Sequence, residues 1–168
     1  MTGAPLTEAG FFLIKTLFGL YILALLLRFL LQTAKADFNH PVSQFLFKLT
    51  QPVVGPLRRR IPSINHLDTS MLLLLIALQT LEITLLSLLG GRMPSIPSIL
   101  VLALSELLSL TLWIYIITLV AIALLSWMQP GGHNPNPLLL HQFTAPILRP
   151  VRRLIPPLQG LDLSLLVT

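Results

Sequence analysis

The stretch PLRRRIP, residues 56–62, decides the fold of this chain, because a near copy, PVRRLIP, follows 94 positions later at residues 150–156. The first copy places three consecutive arginines between prolines and the second places two, in a chain where only 10% of the residues are charged. A repeat at a fixed offset indicates that one structural unit is written twice. The segments on either side of the two copies therefore define that unit.

Apolar side chains dominate the composition of these segments. Of 168 residues, 54% are hydrophobic, and the mean hydropathy is +0.84. Soluble domains carry roughly 25% charged residues, so lipid must solvate part of this chain. The absence of cysteine excludes disulfides, thiolate nucleophiles and cysteine-ligated metals. The first ten residues hold no Lys or Arg, so we expect the first apolar run to be a retained span rather than a signal peptide.

Four apolar runs are candidates for membrane spans. Three of them, at about residues 10–34, 67–89 and 99–128, are long enough to cross a hydrocarbon core of about 30 Å. A fourth, LDLSLLVT, occupies residues 161–168, and we expect it to be only the start of a last helix that is incomplete in this chain. Between the first two runs, PVSQFLFKL predicts a short interfacial helix over about residues 41–50. We expect Pro41 at its first position and Asn39 or His40 as its cap. Its predicted apolar face consists of Val42, Phe45, Leu46 and Leu49.

The repeat extends well beyond the arginines. Shifting the chain by 94 residues aligns 52–70 with 146–164, and nine of these 19 positions are identical. Tyr21 with Tyr115 and Thr50 with Thr144 fit the same offset. We therefore predict an all-α integral membrane protein with two repeats, 1–95 and 96–168, each made of a span, an interfacial helix, a basic proline-rich turn and a second span. The predicted turn residues are Pro52, Pro56, Pro62, Pro146, Pro150 and Pro156.

The distribution of positive charge predicts the orientation. The first long connection holds five basic residues and the second holds three, so 5 + 3 = 8 of the 11 lie there. The positive-inside rule places both connections in the cytoplasm and the N-terminus outside. Because each unit contains two spans, the two copies point the same way and form parallel repeats.

The segments QFLFKLTQPVVGPLRRRIP with LDTS, and FTAPILRPVRRLIPPLQGLDLS in the second copy, resemble the YggT family of bacterial inner-membrane proteins, whose plastid relatives are called YlmG. The resemblance covers almost the whole chain. It implies a multi-pass protein of the bacterial inner membrane without enzymatic activity. It also implies links to osmotic or potassium-related stress and to the neighbourhood of division genes, and in plastid relatives to nucleoid distribution and haem-protein assembly.

The paired arginines are the first candidates for function. Prolines stiffen the backbone around them, and paired guanidinium groups bind phosphate oxygens well. We therefore interpret the pairs as a binding edge for anionic membrane lipid or for a membrane or cytosolic protein partner, and a pure topology signal is the alternative. The candidate residues are Arg58, Arg59, Arg152, Arg153 and Lys48.

Charged residues inside the predicted spans fall at two depths. With a rise of 1.5 Å per residue, Arg28 lies roughly 9 Å from the cytoplasmic edge, within reach of Asp68 or Asp162. Lys15, Glu82 and Glu106 gather toward the outer side, and Glu82 lies roughly 13 Å from the level of Arg28. We favour structural pairing for these groups over an ion or proton pathway. Asp68 and Asp162 stand at helix starts, where a carboxylate caps free amides.

The remaining patterns indicate no catalytic, metal or cofactor site. The histidines, which are interpreted as solvated interfacial residues, are His40, His66, His133 and His141. Nucleic-acid binding is a poor third choice of partner, because no aromatic residues are interleaved with the basic ones. The sequence therefore favours a non-enzymatic membrane scaffold or stress-tolerance factor, with homo-oligomerisation through leucine-rich surfaces as a further expectation. A small ion-conducting or transport protein linked to osmotic or potassium balance is the alternative.

Overall fold

The computed structural model describes residues 3–34, 40–61, 68–91 and 94–128. It contains four α-helices in this part of the chain: α1 (Gly3–Thr33), α2 (Pro41–Arg60), α3 (Thr69–Leu89) and α4 (Ile96–Met128). Three of them contain apolar stretches long enough to span a membrane, Leu6–Thr33, Thr69–Leu89 and Ile96–Leu124. For the described residues, the prediction of a helical protein with several apolar helices long enough to span a membrane is therefore confirmed.

Helix α3 is the central element, since it packs against both α1 and α4. Its buried positions include Met71, Leu75, Gln79 and Ile83, which recur every four residues and form one stripe. Helix α2 packs against α1 and against α3. The largest fully buried apolar side chains come from α1, α2 and α3, namely Ile22, Leu25, Val54, Met71 and Leu75. The best-packed region therefore lies where α2 meets the two long helices.

The turn between α3 and α4 follows from two glycines. The Gly90 N–H donates to the Leu86 carbonyl at 3.0 Å, which closes the last turn of α3. Gly91 has a φ of 66°, a left-handed conformation that glycine adopts without steric cost. The predicted short connection after residue 89 is thus present, and α4 begins a few residues earlier than the predicted 99.

Helix α2 is longer than the interfacial helix predicted for the first connection. His40 and Pro41 begin the helix as expected, with the Val42 N–H donating to His40 Nδ1 at 3.3 Å. The helix does not stop near residue 50, however, because Pro52 and Pro56 lie inside it instead of in a turn. The predicted turn residues Pro62, Pro146, Pro150 and Pro156 lie outside the described part of the chain.

The helix tolerates these prolines because of where they lie. A proline in a helix interior removes one hydrogen bond and clashes with the preceding turn, at a cost of about 3 kcal/mol. Pro52 and Pro56 are both exposed, whereas Thr50 and Val54 are buried on the opposite side of the helix. Tertiary contacts therefore hold the backbone helical on both sides of the prolines, and local propensity does not decide the outcome.

A proline-to-alanine substitution distinguishes a helical from a turn position. We expect Pro52→Ala to stabilise the protein by about 1 kcal/mol, because alanine restores an N–H donor in the helix interior. The same change at a proline that is well placed in a turn would instead destabilise by about 0.4–1 kcal/mol. The measurement is thermal unfolding in a mild detergent. Pro41→Ala is the matched control, since proline is favoured at the first helical position and its loss should not stabilise.

Candidate functional site

The Arg28 side chain joins α1 to α2. It is only 2% exposed, and its guanidinium group donates to Thr50 Oγ1 at 2.7 Å and to Gln51 Oε1 at 2.9 Å. A longer bond of 3.3 Å reaches the Phe47 carbonyl, and the Phe47 ring lies 4.3 Å from the guanidinium carbon. We refer to Arg28, Phe47, Thr50 and Gln51 as the Arg28 clamp. All of its acceptors are neutral, and they fix the middle of α2 against α1.

Arg28 was predicted to reach Asp68 or Asp162, and of these Asp68 binds another arginine, whereas Asp162 lies outside the described residues. The Asp68 carboxylate forms an ion pair of 2.9 Å with Arg58 Nη2. The same carboxylate accepts hydrogen bonds from Ser70 Oγ at 2.5 Å and from Gln32 Nε2 at 3.4 Å. We refer to the Arg58–Asp68 pair with Ser70 and Gln32 as the Asp68 latch. It ties the end of α2 to the start of α3 and to α1.

Asp68 occupies the N-cap position of α3, as predicted, but its side chain makes no capping hydrogen bond. Its backbone carbonyl accepts from the Met71 and Leu72 amides instead, at 3.0 and 3.1 Å. The carboxylate is 2% exposed and already has three donors in Arg58, Ser70 and Gln32. A buried carboxylate is satisfied best by a cation together with hydrogen bonds, which explains the difference.

Two neighbouring arginines of the basic cluster, Arg58 and Arg59, differ in their contacts. Arg58 forms an ion pair with Asp68, whereas the neighbouring Arg59 is exposed and forms no ion pair within the described residues. Lys48 is also exposed and lies 11 residues before Arg59. Eleven residues are close to three helical turns, so Lys48 and Arg59 lie on nearly the same side of α2. We refer to these two side chains as the basic edge of α2.

A second polar cluster lies between the long helices. Gln79 Nε2 donates to Glu82 Oε2 at 3.2 Å and to Glu106 Oε2 at 2.5 Å, which links α3 to α4. Glu82 also interacts electrostatically with Lys15 of α1. The structure therefore brings Lys15, Glu82 and Glu106 together, as the depth argument predicts, and this group does not include Arg28. The hydroxyls of Thr80 and Thr84 donate to carbonyls of their own helix.

Sequence reasoning missed the neutral partners of the buried charges. The signal for two of them was in the repeat, because Thr50 and Ser70 recur at Thr144 and Ser164. The repeat does not mark Gln51 or Gln32 as partners of buried charges, nor Gln79 as the link between Glu82 and Glu106. Arg152, Arg153 and Asp162 lie outside the described residues, as do His66, His133 and His141. Within the described part of the chain, no group of three or more His, Asp or Glu residues is arranged to hold a metal.

Comparison with known proteins places the chain in a family. The family model described as CCB3/YggT matches residues 7–89 and 101–168. An uncharacterised protein of Vibrio alginolyticus is 43% identical over 162 residues, covering 93% of this chain and 85% of that protein. An uncharacterised protein of Pseudomonas aeruginosa is 41% identical over 161 residues, with coverages of 95% and 82%. The uncharacterised YggT protein of Escherichia coli K12 is 38% identical over 154 residues, with coverages of 91% and 79%.

No solved structure matches the chain. The names of these relatives describe no catalytic activity. The family model and the three relatives each cover most of the sequence. The chain therefore belongs to the CCB3/YggT family.

Proposed function

We propose that this protein is a non-enzymatic scaffold or assembly and stress-tolerance factor of the bacterial inner membrane, whose cytoplasmic face presents a basic platform to anionic lipid or to a partner protein. The observation that carries the proposal is that some polar and charged side chains of α2 bind other helices, whereas others are exposed. The Arg28 clamp and the Asp68 latch hold the helix in place, and the basic edge is left exposed. A rigidly positioned helix with exposed cations is suited to binding an anionic surface.

The orientation of this platform rests on the charge distribution. Basic residues concentrate in the two long connections, and α2 lies in the first of them. This supports a cytoplasmic position for α2 and an outside position for the N-terminus. The starts of the two segments that match the family model, residues 7 and 101, are 94 residues apart (101 − 7 = 94), the same offset as in the sequence repeat. This agreement supports an organisation in two repeats.

The proposal is tested by purification in mild detergent followed by native mass spectrometry. We expect the wild-type chain to retain an anionic lipid or a stoichiometric protein, and K48Q/R59Q to lose it while still inserting into the membrane. K48R/R59K is the matched control, because it preserves both charges and should preserve retention. Equal retention by K48Q/R59Q would contradict the platform. The same spectra give the number of copies in the complex, which tests the proposed homo-oligomer.

A second candidate, a small ion-conducting protein, is favoured by one observation. Glu82 is 6% exposed, and Gln79 links it to Glu106 within helices that are long enough to span the membrane. Potassium and proton flux through the purified protein in liposomes tests this candidate. Flux that is abolished by Glu82→Gln but not by Glu8→Gln, a change at an exposed carboxylate near the start of α1, would support it.

A further inference from the structure

Helix α2 has three distinct faces along its length. One face, formed by Ser43, Leu46, Thr50 and Val54, is buried against the other helices. A second face is exposed and apolar, although a soluble protein would bury such a surface. It consists of Val42, Phe45, Leu49 and Val53, and Phe45 is 65% exposed. We refer to these four side chains as the apolar stripe of α2.

The basic edge runs beside the apolar stripe. In an α-helix each residue advances the side chain by about 100°. Lys48 and Arg59 therefore project about 85–105° away from the centre of the stripe, on the side opposite the buried face. Helix α2 contains no Asp or Glu, so no acidic group of the helix itself offsets these cations. An apolar stripe with cations along one margin is the pattern of a helix that lies in a membrane surface.

The contacts of α2 place it at one end of the helix bundle. Arg28, which binds the middle of α2, lies five residues before the end of α1, or about 8 Å along the helix axis. Asp68, which binds the end of α2, directly precedes α3. Helix α2 thus lies near the C-terminal end of α1 and the N-terminal end of α3. In a bilayer about 30 Å thick, helix ends of this kind fall near the boundary between acyl chains and headgroups.

We propose that the partner of α2 is an anionic phospholipid of the adjacent leaflet. The apolar stripe enters the upper acyl region, and Lys48 and Arg59 each bind a lipid phosphate. About 16 Å of helix axis separates the two cations, so they contact different lipid molecules. This inference rests on the proposed function, because it names the ligand of the same basic edge. An acidic protein surface would match the cations but would leave the apolar stripe without a matching surface.

The absence of cysteine allows single-site labels to test this arrangement. An environment-sensitive fluorophore is attached to a single introduced cysteine. In Phe45→Cys the label lies on the apolar stripe, and in Gln44→Cys it lies on the polar side of the same helical turn. The labelled proteins are placed in nanodiscs of phosphatidylcholine with or without the anionic lipid phosphatidylglycerol. Acyl-chain nitroxides are expected to quench the label at residue 45 severalfold more than the label at residue 44. Equal quenching at the two positions would overturn the proposal.

The second measurement is the enrichment of phosphatidylglycerol over phosphatidylcholine around the protein, read by native mass spectrometry. We expect a preference for the anionic lipid that falls about fivefold for each cation removed, hence roughly 25-fold in K48Q/R59Q, and that weakens at high salt. K48R/R59K should keep the preference. A wild-type chain without preference for phosphatidylglycerol would overturn the lipid assignment.

The outcomes separate this inference from the function on which it rests. If the wild-type chain lacks lipid preference but retains a protein that K48Q/R59Q loses, the lipid assignment fails and the platform stands. If the chain retains neither lipid nor protein, both fail. A lipid preference that K48Q/R59Q removes, together with selective quenching at residue 45, supports both.

Discussion

Replacing both side-chain acceptors of Arg28 is expected to destabilise the protein by about 3–5 kcal/mol, more than removing Arg28 itself. The variant is T50V/Q51L, which leaves the buried guanidinium group with only its longer bond of 3.3 Å to the Phe47 carbonyl. An uncompensated buried charge carries a desolvation penalty of this size. Arg28 Nε already lacks a hydrogen-bond partner within the described residues, so the guanidinium group has few other hydrogen bonds to offset the loss. Thermal or denaturant unfolding in mild detergent measures the loss.

The control for this prediction is a rescue by removal of the charge. Arg28→Met should cost only about 1–2 kcal/mol, because a buried ion can be replaced by an apolar side chain of similar size at modest cost. The triple variant R28M/T50V/Q51L should therefore be more stable than T50V/Q51L. Thr80→Val is the matched single change, since the Thr80 hydroxyl donates only to the Ile76 carbonyl of its own helix. A triple variant that is less stable than T50V/Q51L would contradict the importance of the buried charge.

The neighbouring arginines 58 and 59 are expected to behave differently when each is changed to glutamine. Arg58→Gln should destabilise the protein by about 2–3 kcal/mol, because it leaves the buried Asp68 carboxylate without its cation. The Arg58 side chain is 44% exposed, so solvent screening keeps the cost below that of a fully buried pair. Arg59→Gln should change stability by no more than about 0.5 kcal/mol. Unfolding in mild detergent provides the comparison.

The reverse change supplies the control. Asp68→Asn should cost less than Arg58→Gln, because Arg58 can return to water whereas Asp68 cannot. The proposed platform adds a second readout, in which Arg59→Gln reduces lipid or partner retention without a loss of stability. Equal stability losses for the two arginine variants would show that the Asp68 latch does not distinguish them.

The long apolar helices could be predicted from the sequence because their signal is local. Twenty or more consecutive apolar residues have few alternatives to a membrane span, and the Gly90–Gly91 pair marks a turn without reference to the rest of the fold. The gathering of Lys15, Glu82 and Glu106 was also predictable, since helix rise converts sequence position into depth. These features need no knowledge of which helix faces which.

The length of α2 and the partners of its charges could not be predicted in this way. Prolines 52 and 56 are strong local signals for the end of a helix, and only the contacts of Thr50 and Val54 with other helices outweigh them. The choice of Arg58 over Arg28 as the partner of Asp68 depends on how α2 crosses the bundle. Hydropathy and spacing contain no information about that crossing.

The buried guanidinium of Arg28 bears on the predicted organisation in two repeats. The position 94 residues later is Ile122, which is also buried, on α4. Two separate copies of a single-unit ancestor, associating as identical subunits, would carry the same side chain at both of these positions. If the two predicted units were joined in one gene, that constraint would be removed, and one unit could hold a cation where the other holds a hydrocarbon. Such a fused chain would be asymmetric in a way that no assembly of identical half-proteins can reproduce.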